Sequence, residues 1–259
     1  DGAFDFLGLA DHLRKSYNGV DGAGNGKYNA PFYVAAQTQQ REIEKLQAKG
    51  VYSNKLINTG FEWDMPGLDH ASVGVLEKDG SASIRGIHQF EWLFASTGDG
   101  DDPTSLFELD EKSEDMNEAE EYGARRNNGT VKAAYDAVTW LEENYPGSYA
   151  LPNHPSRHNG QNGEVTIENL RKLNDAAPSV VFGMEGMPGN QMSGSGRCEL
   201  PDGAIRNGAD KMIAVTGGVW DAMLAEGRKF YNFANSDFHF KVSADEQYSS
   251  GYWPSEYSS

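Results

Sequence analysis

The sequence contains few cysteines, few basic residues and no long apolar run. Cys198 is the only cysteine among 259 residues, so an intrachain disulfide and a cysteine-based zinc site are excluded, and we interpret Cys198 as structural. No stretch approaches the roughly 18 apolar residues that a transmembrane helix requires, and no signal peptide is recognisable. Basic residues number 22 against 39 acidic ones, and the net charge of −17 argues against a long nucleic acid as partner.

Short apolar runs alternate with amphipathic stretches, a rhythm typical of β/α units. The apolar runs predict strands over 4–10, 55–63, 70–76, 148–153, 179–185 and 229–235. The amphipathic stretches predict helices over 31–48, 87–94, 131–144, 166–176 and 219–227, with Thr166 as an N-cap. We expect 96–121 to be a solvated acidic insertion and 186–216 an irregular, glycine-rich loop. The length suits one large domain or two small ones, and we interpret 1–259 as a single domain.

Histidines and carboxylates stand at or near the ends of these predicted strands. Strand ends converge at one face of an α/β fold, so residues far apart in sequence meet there. Imidazole and carboxylate ligands suit zinc, manganese or iron(II), and several carboxylates favour more than one ion. The candidate ligands are His12, Glu62, His70, His154, Glu185, Asp237 and His239.

Five segments carry or follow these candidate ligands: FDFLGLADH, GFEWDMPGLDHASVGVL, LPNHP, FANSDFHF and YWPSEY. They resemble motifs of the PHP (polymerase and histidinol phosphatase) family, in its stand-alone bacterial phosphoesterase branch. The resemblance extends from residue 4 to about residue 254. It implies a distorted (β/α)7 TIM-like barrel and up to three divalent metal ions.

The resemblance also implies a role for each ligand. His12 would bind an outer metal, Glu62 would bridge two metals, and His70 and His154 would complete the second site. Asp237 would bind the first metal, and His239 would join His12 on the third.

One family motif, a His-x-His pair on the first strand, has no counterpart in the sequence. A final helix expected after YWPSEY is also absent. We therefore expect a barrel lacking its first strand, in a chain truncated at the N-terminus and at the C-terminus. The alternative is a degenerate PHP domain that binds a ligand or partner without turnover.

Other polar residues near these motifs have both a functional and an ordinary interpretation. Arg14 and Arg157 can clamp a substrate phosphate or form surface salt bridges. His158 can bind phosphate or a metal, or belong to a plain loop. Glu185 is a ligand or a neighbour of the ligands. His88 is an alternative to His70, although its helical spacing favours a helix-surface position.

Three aspartates in the acidic stretch, Asp99, Asp101 and Asp102, do not match the EF-hand spacing, so a solvated loop is favoured over a calcium site.

The sequence predicts a metal-dependent phosphoesterase acting on a small phosphate mono- or diester. A metal-activated hydroxide would attack phosphorus, with Asp237, His158, Arg14 and Arg157 as candidate catalytic residues. Hydrolysis of a non-phosphate bond, as in amidohydrolase-like barrels, is a further alternative. The acidic chain with one cysteine favours an exported bacterial enzyme over a cytoplasmic one.

Overall fold

The computed structural model describes residues 5–13, 31–95, 121–158, 162–188 and 209–237. The strands of these segments are β1 (Phe6–His12), β2 (Leu56–Asp64), β3 (His70–Gly74), β4 (Tyr149–Pro152), β5 (Gly183–Pro188) and β6 (Tyr231–Asn235). Their helices are α1 (Phe32–Ala48), α2 (Ile84–Phe94), α3 (Val131–Asn144), α4 (Ile167–Ala176), α5 (Lys211–Ala214) and α6 (Val219–Ala225). In these segments, none of the helices has the length and apolar character needed to cross a membrane.

The strands form two sheets rather than one closed barrel. In the first sheet, with the order β1-β2-β3-β4, β1 runs parallel to β2, and the other two pairings are antiparallel. In the second sheet β5 and β6 are parallel, and an isolated β-bridge between Asn153 and Glu185 connects the two sheets. The described part of the chain is therefore α/β, with a mixed sheet and a small parallel sheet.

The predicted (β/α)7 barrel is wrong for the described part of the chain. Such a barrel needs parallel strands, each separated from the next by a helical crossover. Only the short segment 65–69 separates β2 from β3, and a link of that length can join only antiparallel strands. Strands β1 and β4 form the two edges of the first sheet, and each of them pairs with one other described strand of that sheet.

The two faces of strand β2 differ in character, one facing the apolar core and the other carrying polar side chains. Its alternating side chains direct Phe61 and Trp63 to one face and Glu62 and Asp64 to the other. Phe61 and Trp63 are fully buried in a core shared with α1, α2, α3 and α4. The same alternation that fills the core therefore sets two carboxylates side by side on the opposite face.

The described segments confirm most of the predicted elements. Thr166 caps α4, because its hydroxyl accepts a hydrogen bond from the backbone N–H of Asn169. Some predictions differ from the structure: β5 begins later than expected, α2 begins earlier, and the short helix α5 lies inside the stretch expected to be irregular. The acidic insertion lies outside the described residues except for Glu121.

Helix α1 receives its N-terminal cap from another helix. Pro31 precedes it and supplies no side-chain hydrogen bond. Instead, the buried carboxylate of Glu91, on α2, accepts bonds from the backbone N–H groups of Phe32 at 2.5 Å and Tyr33 at 2.9 Å. Burial raises the pKa of Glu91 to about 7, although the two N–H donors and Arg125 act in the opposite direction.

The raised pKa of Glu91 predicts a loss of stability as pH rises. The unfolded chain releases this proton near the ordinary glutamate pKa of 4.5, whereas burial in the folded chain raises the pKa to about 7. Stability should therefore fall between these pH values, by up to about 3 kcal/mol. Denaturant unfolding of chelator-treated protein at several pH values should show a steeper decline in the wild type than in Glu91→Gln. The exposed Glu143→Gln on α3 is the matched control, and an identical pH slope in all three proteins would contradict the prediction.

Candidate metal centre

Three adjacent strands bring four potential ligands together on the polar face of the first sheet. His12 is in register with Glu62 across the parallel β1–β2 pair, and Asp64 is opposite His70 across the antiparallel β2–β3 pair. Nε2 of His12 lies 3.2 Å from Oε2 of Glu62, and Nε2 of His70 lies 2.8 Å from Oδ1 of Asp64. Strand register thus brings these side chains together without help from a loop.

The segment after β4 adds His154 to this group. Nε2 of His154 lies 3.6 Å from Oε1 of Glu62, and its Nδ1 lies 3.3 Å from Oδ2 of Asp69. Asn153 donates to the same Glu62 oxygen at 2.8 Å and accepts a bond from the backbone N–H of Ser72. The amide of Asn153 therefore fixes the orientation of the Glu62 carboxylate.

The donor set fits a divalent metal ion. Two groups each bring three ligand atoms within 4.8 Å of one another: Glu62, His70 and His154, and His12, Asp64 and His70. His154 is 2 % exposed, yet neither ring nitrogen makes a hydrogen bond of acceptable geometry with another described residue. Buried polar atoms normally find a partner, and mixed imidazole and carboxylate ligands suit zinc, manganese or iron.

The electrostatics of the group favour charged forms. Burial alone would raise the pKa of Glu62, but His154, His70 and His12 outweigh it and hold that pKa well below its ordinary value. Burial would lower the pKa of His70, yet Asp64 and Glu62 raise it to about 9. Asp69 and Glu62 likewise raise the pKa of His154. This concentration of negative charge attracts protons to the histidines and would attract a divalent cation in the same way.

Arg157 and His158 stand beside the cluster and share one carboxylate. Asp69, which is 2 % exposed, accepts bonds from Nε of Arg157 at 2.9 Å and from Nη2, and Nε2 of His158 lies 3.5 Å from it. His154 and Arg157 lower the pKa of Asp69 against the effect of burial. Arg157 and His158 also line a cavity of about 360 Å³, together with the segment 64–70, Asn127 and Gly129.

Glu185 and Asp237 lie near the cluster but outside both ligand groups. Burial raises the pKa of Glu185 to about 8, and the charges of Glu62 and Asp237 add to this effect. Its carboxyl group accepts a bond from Asn235 of β6. The backbone of Asp237 is left-handed, with φ of 43°, as is that of His154, with φ of 31°. Such strain costs about 1–3 kcal/mol and persists where the surroundings enforce it.

Asp210 anchors the segment that carries His154, Arg157 and His158. Its buried carboxylate accepts bonds from the backbone N–H of Ser156 at 3.1 Å and from the Ser156 hydroxyl, and from the N–H of Met212 at 2.8 Å. The N–H of Asp210 donates to the carbonyl of Gly186, next to Glu185. The bonds tie the strained His154 segment to β5 and to the start of α5.

The structure thus brings together four of the predicted ligands, His12, Glu62, His70 and His154, and places Arg157 and His158 beside them. Arg14, His239 and the three aspartates of the acidic stretch lie outside the described residues. The helix-surface prediction for His88 is wrong, since its ring is 3 % exposed and stacks on Tyr33.

Sequence reasoning missed Asp64, Asp69, Asn153 and Asp210. The signal for Asp64 was its position two residues after Glu62 on one strand, which puts both carboxylates on one face. Comparisons with protein-family models, curated proteins and solved structures gave no match.

Proposed function

We propose that the chain is a metal-dependent hydrolase of small phosphate esters, holding two or three divalent ions at the His/Asp/Glu cluster. The supporting observation is the convergence of His12, Glu62, Asp64, His70 and His154 beside a cavity that contains Arg157. The sequence resemblance to the PHP family stays a hypothesis that points the same way. An exported location stays a prediction.

The bound ions would supply a hydroxide nucleophile near neutral pH and positive charge to offset that of the phosphoryl oxygens. Glu62, His70 and His154 would hold metal, with Asn153 orienting the Glu62 carboxylate. Asp69 would orient Arg157 through its paired hydrogen bonds. In the described part of the chain, Nη1 of Arg157 has no hydrogen-bond acceptor, so it can donate to a phosphoryl oxygen.

His158 is placed to move a proton during turnover. Its ring is 36 % exposed, lines the cavity and lies 3.5 Å from the carboxylate of Asp69. A doubly protonated histidine so placed would direct one N–H at Asp69 and donate the proton on its other ring nitrogen to the leaving-group oxygen. The cavity of about 360 Å³ is large enough for a small ester.

Phosphate hydrolysis by the metal-loaded chain is the direct test. Chelator-treated protein should leave p-nitrophenyl phosphate and its bis(p-nitrophenyl) diester intact, and added Mn²⁺ or Zn²⁺ should start hydrolysis of one of them. A parallel series of p-nitroanilide amides should remain intact. Release of nitrophenol or nitroaniline measures each reaction. Metal binding with no phosphate ester hydrolysed would refute the proposal, and cleavage of the amides alone would reassign the site to amide hydrolysis.

A further inference from the structure

The ring of His70 has a carboxylate at each nitrogen. Nδ1 lies 3.1 Å from Oε1 of Glu62, and Nε2 lies 2.8 Å from Oδ1 of Asp64. The lone pairs of the two ring nitrogens point in different directions, so one ring can serve two separate positions. His70 is correspondingly the residue that both groups of potential ligands share.

The group of His12, Asp64 and His70 has the spacing of a metal site of its own. Nδ1 of His12 lies 3.9 Å from Oδ1 of Asp64, and the His12 and His70 rings meet edge to face with centroids 5.0 Å apart. Ligands bound at about 2.0–2.2 Å to one zinc-sized ion stand no more than about 4.4 Å apart. The distances to Asp64 are within that limit.

We propose that Asp64, His12 and His70 form a second metal position, and that the imidazole of His70 bridges it to the position formed by Glu62, His70 and His154. This inference rests on the metal centre of the proposed function, but not on its phosphate chemistry. A bridging imidazole carries no ring N–H proton, so the protons of His70 pass to solvent as the two ions bind. Each position then has its own carboxylate, Asp64 or Glu62, to offset the charge of its ion.

The position of Arg157 leaves both ring nitrogens of His70 available to bind metal. Its Nη2 atom lies 3.3 Å from Nδ1 and 3.2 Å from Nε2 of His70. An atom almost equidistant from the two nitrogens cannot lie along either lone pair, because the lone pairs diverge. The guanidinium is held there by its paired hydrogen bonds to Asp69, and its positive charge would stabilise a deprotonated ring.

Metal stoichiometry tests the shared position. Chelator-stripped full-length protein would be titrated with Mn²⁺ by calorimetry and analysed for bound metal after desalting. We expect at least two ions in the wild type, one fewer in Asp64→Asn and in His12→Gln, and at least two fewer in His70→Ala. Asp136→Asn, which removes an exposed carboxylate on α3, should retain the wild-type number. Circular dichroism would verify that each variant is folded.

Magnetic coupling between neighbouring Mn²⁺ ions supplies a second readout. A cluster that only forms histidine–carboxylate ion pairs and binds no metal would not produce it. The electron paramagnetic resonance spectrum of the Mn²⁺-loaded wild type should show coupled ions, and that of Asp64→Asn should show an isolated ion at the remaining position. Fewer than two ions in the wild type, or an unchanged number in both Asp64→Asn and His12→Gln, would overturn the inference. Two coupled ions without hydrolysis would overturn the proposed function alone.

Discussion

Replacement of Glu62 by glutamine is expected to lower metal affinity at the position that Glu62 forms with His70 and His154 by more than about 100-fold, and to abolish metal-dependent hydrolysis. One carboxylate oxygen of Glu62 faces His70 and His154 and the other faces His12, so the residue touches three histidines at once. Loss of a group behind a metal ligand already costs about 10- to 100-fold in affinity or activity, and loss of a ligand should exceed that. Glutamine keeps the shape of the side chain but not its charge.

The effect on metal binding can be separated from any effect on folding. Metal affinity would be measured by calorimetry and hydrolysis with p-nitrophenyl phosphate, both beside the Glu143→Gln control on α3. Unfolding of the chelator-treated proteins would show whether the apo fold is intact. A Glu62→Gln protein that binds the wild-type number of Mn²⁺ ions, each within about threefold of the wild-type affinity, would exclude Glu62 from the metal centre.

Replacement of Trp63 by alanine should cost about 3–5 kcal/mol of folding free energy. Trp63 is 0 % exposed, packs edge to face on Phe90, and donates from Nε1 to the carbonyl of Phe94 at 3.1 Å. It is also the residue of β2 between Glu62 and Asp64. Loss of the indole leaves a cavity behind the strand that carries both carboxylates, so metal affinity should fall along with stability.

Trp63→Phe is the companion variant, because it keeps most of the apolar volume and loses the hydrogen bond to Phe94. We expect it to cost less than Trp63→Ala. Denaturant unfolding in chelator would measure both variants, and calorimetry with Mn²⁺ would measure the site. A loss below about 1 kcal/mol in Trp63→Ala would show that the strand does not depend on this contact.

Much of the candidate site could be predicted because its residues occupy the ends of strongly patterned strands. His12 closes β1, His70 opens β3, and His154 follows β4, as the apolar runs indicated. Apolar periodicity marks where a strand is, and side-chain chemistry marks what it carries. Neither feature requires knowledge of how the strands are paired.

Strand direction was the feature that periodicity could not supply. The segment 65–69 between β2 and β3 is too short for a crossover, and recognition of that length would have predicted the antiparallel pair. The same pairing sets Asp64 opposite His70. The wrong barrel and the unforeseen contact between Asp64 and His70 therefore have a common cause.

Asp210 could not be predicted from the sequence, for a different reason. It follows a stretch without apolar periodicity, and its partner Ser156 is far away in sequence. A buried carboxylate that serves as an anchor leaves no local pattern, since its role depends on which backbone groups the tertiary fold brings to it.

The β2–β3 hairpin has a consequence for the denatured chain. Glu62, Asp64, Asp69 and His70 lie within one short segment, so even an unfolded chain keeps these groups in proximity. Metal should therefore bind the unfolded state with residual affinity, and any affinity for the unfolded state reduces the stabilisation that a ligand provides. The rise in melting temperature on adding metal should consequently fall short of the value calculated from the affinity of the native protein.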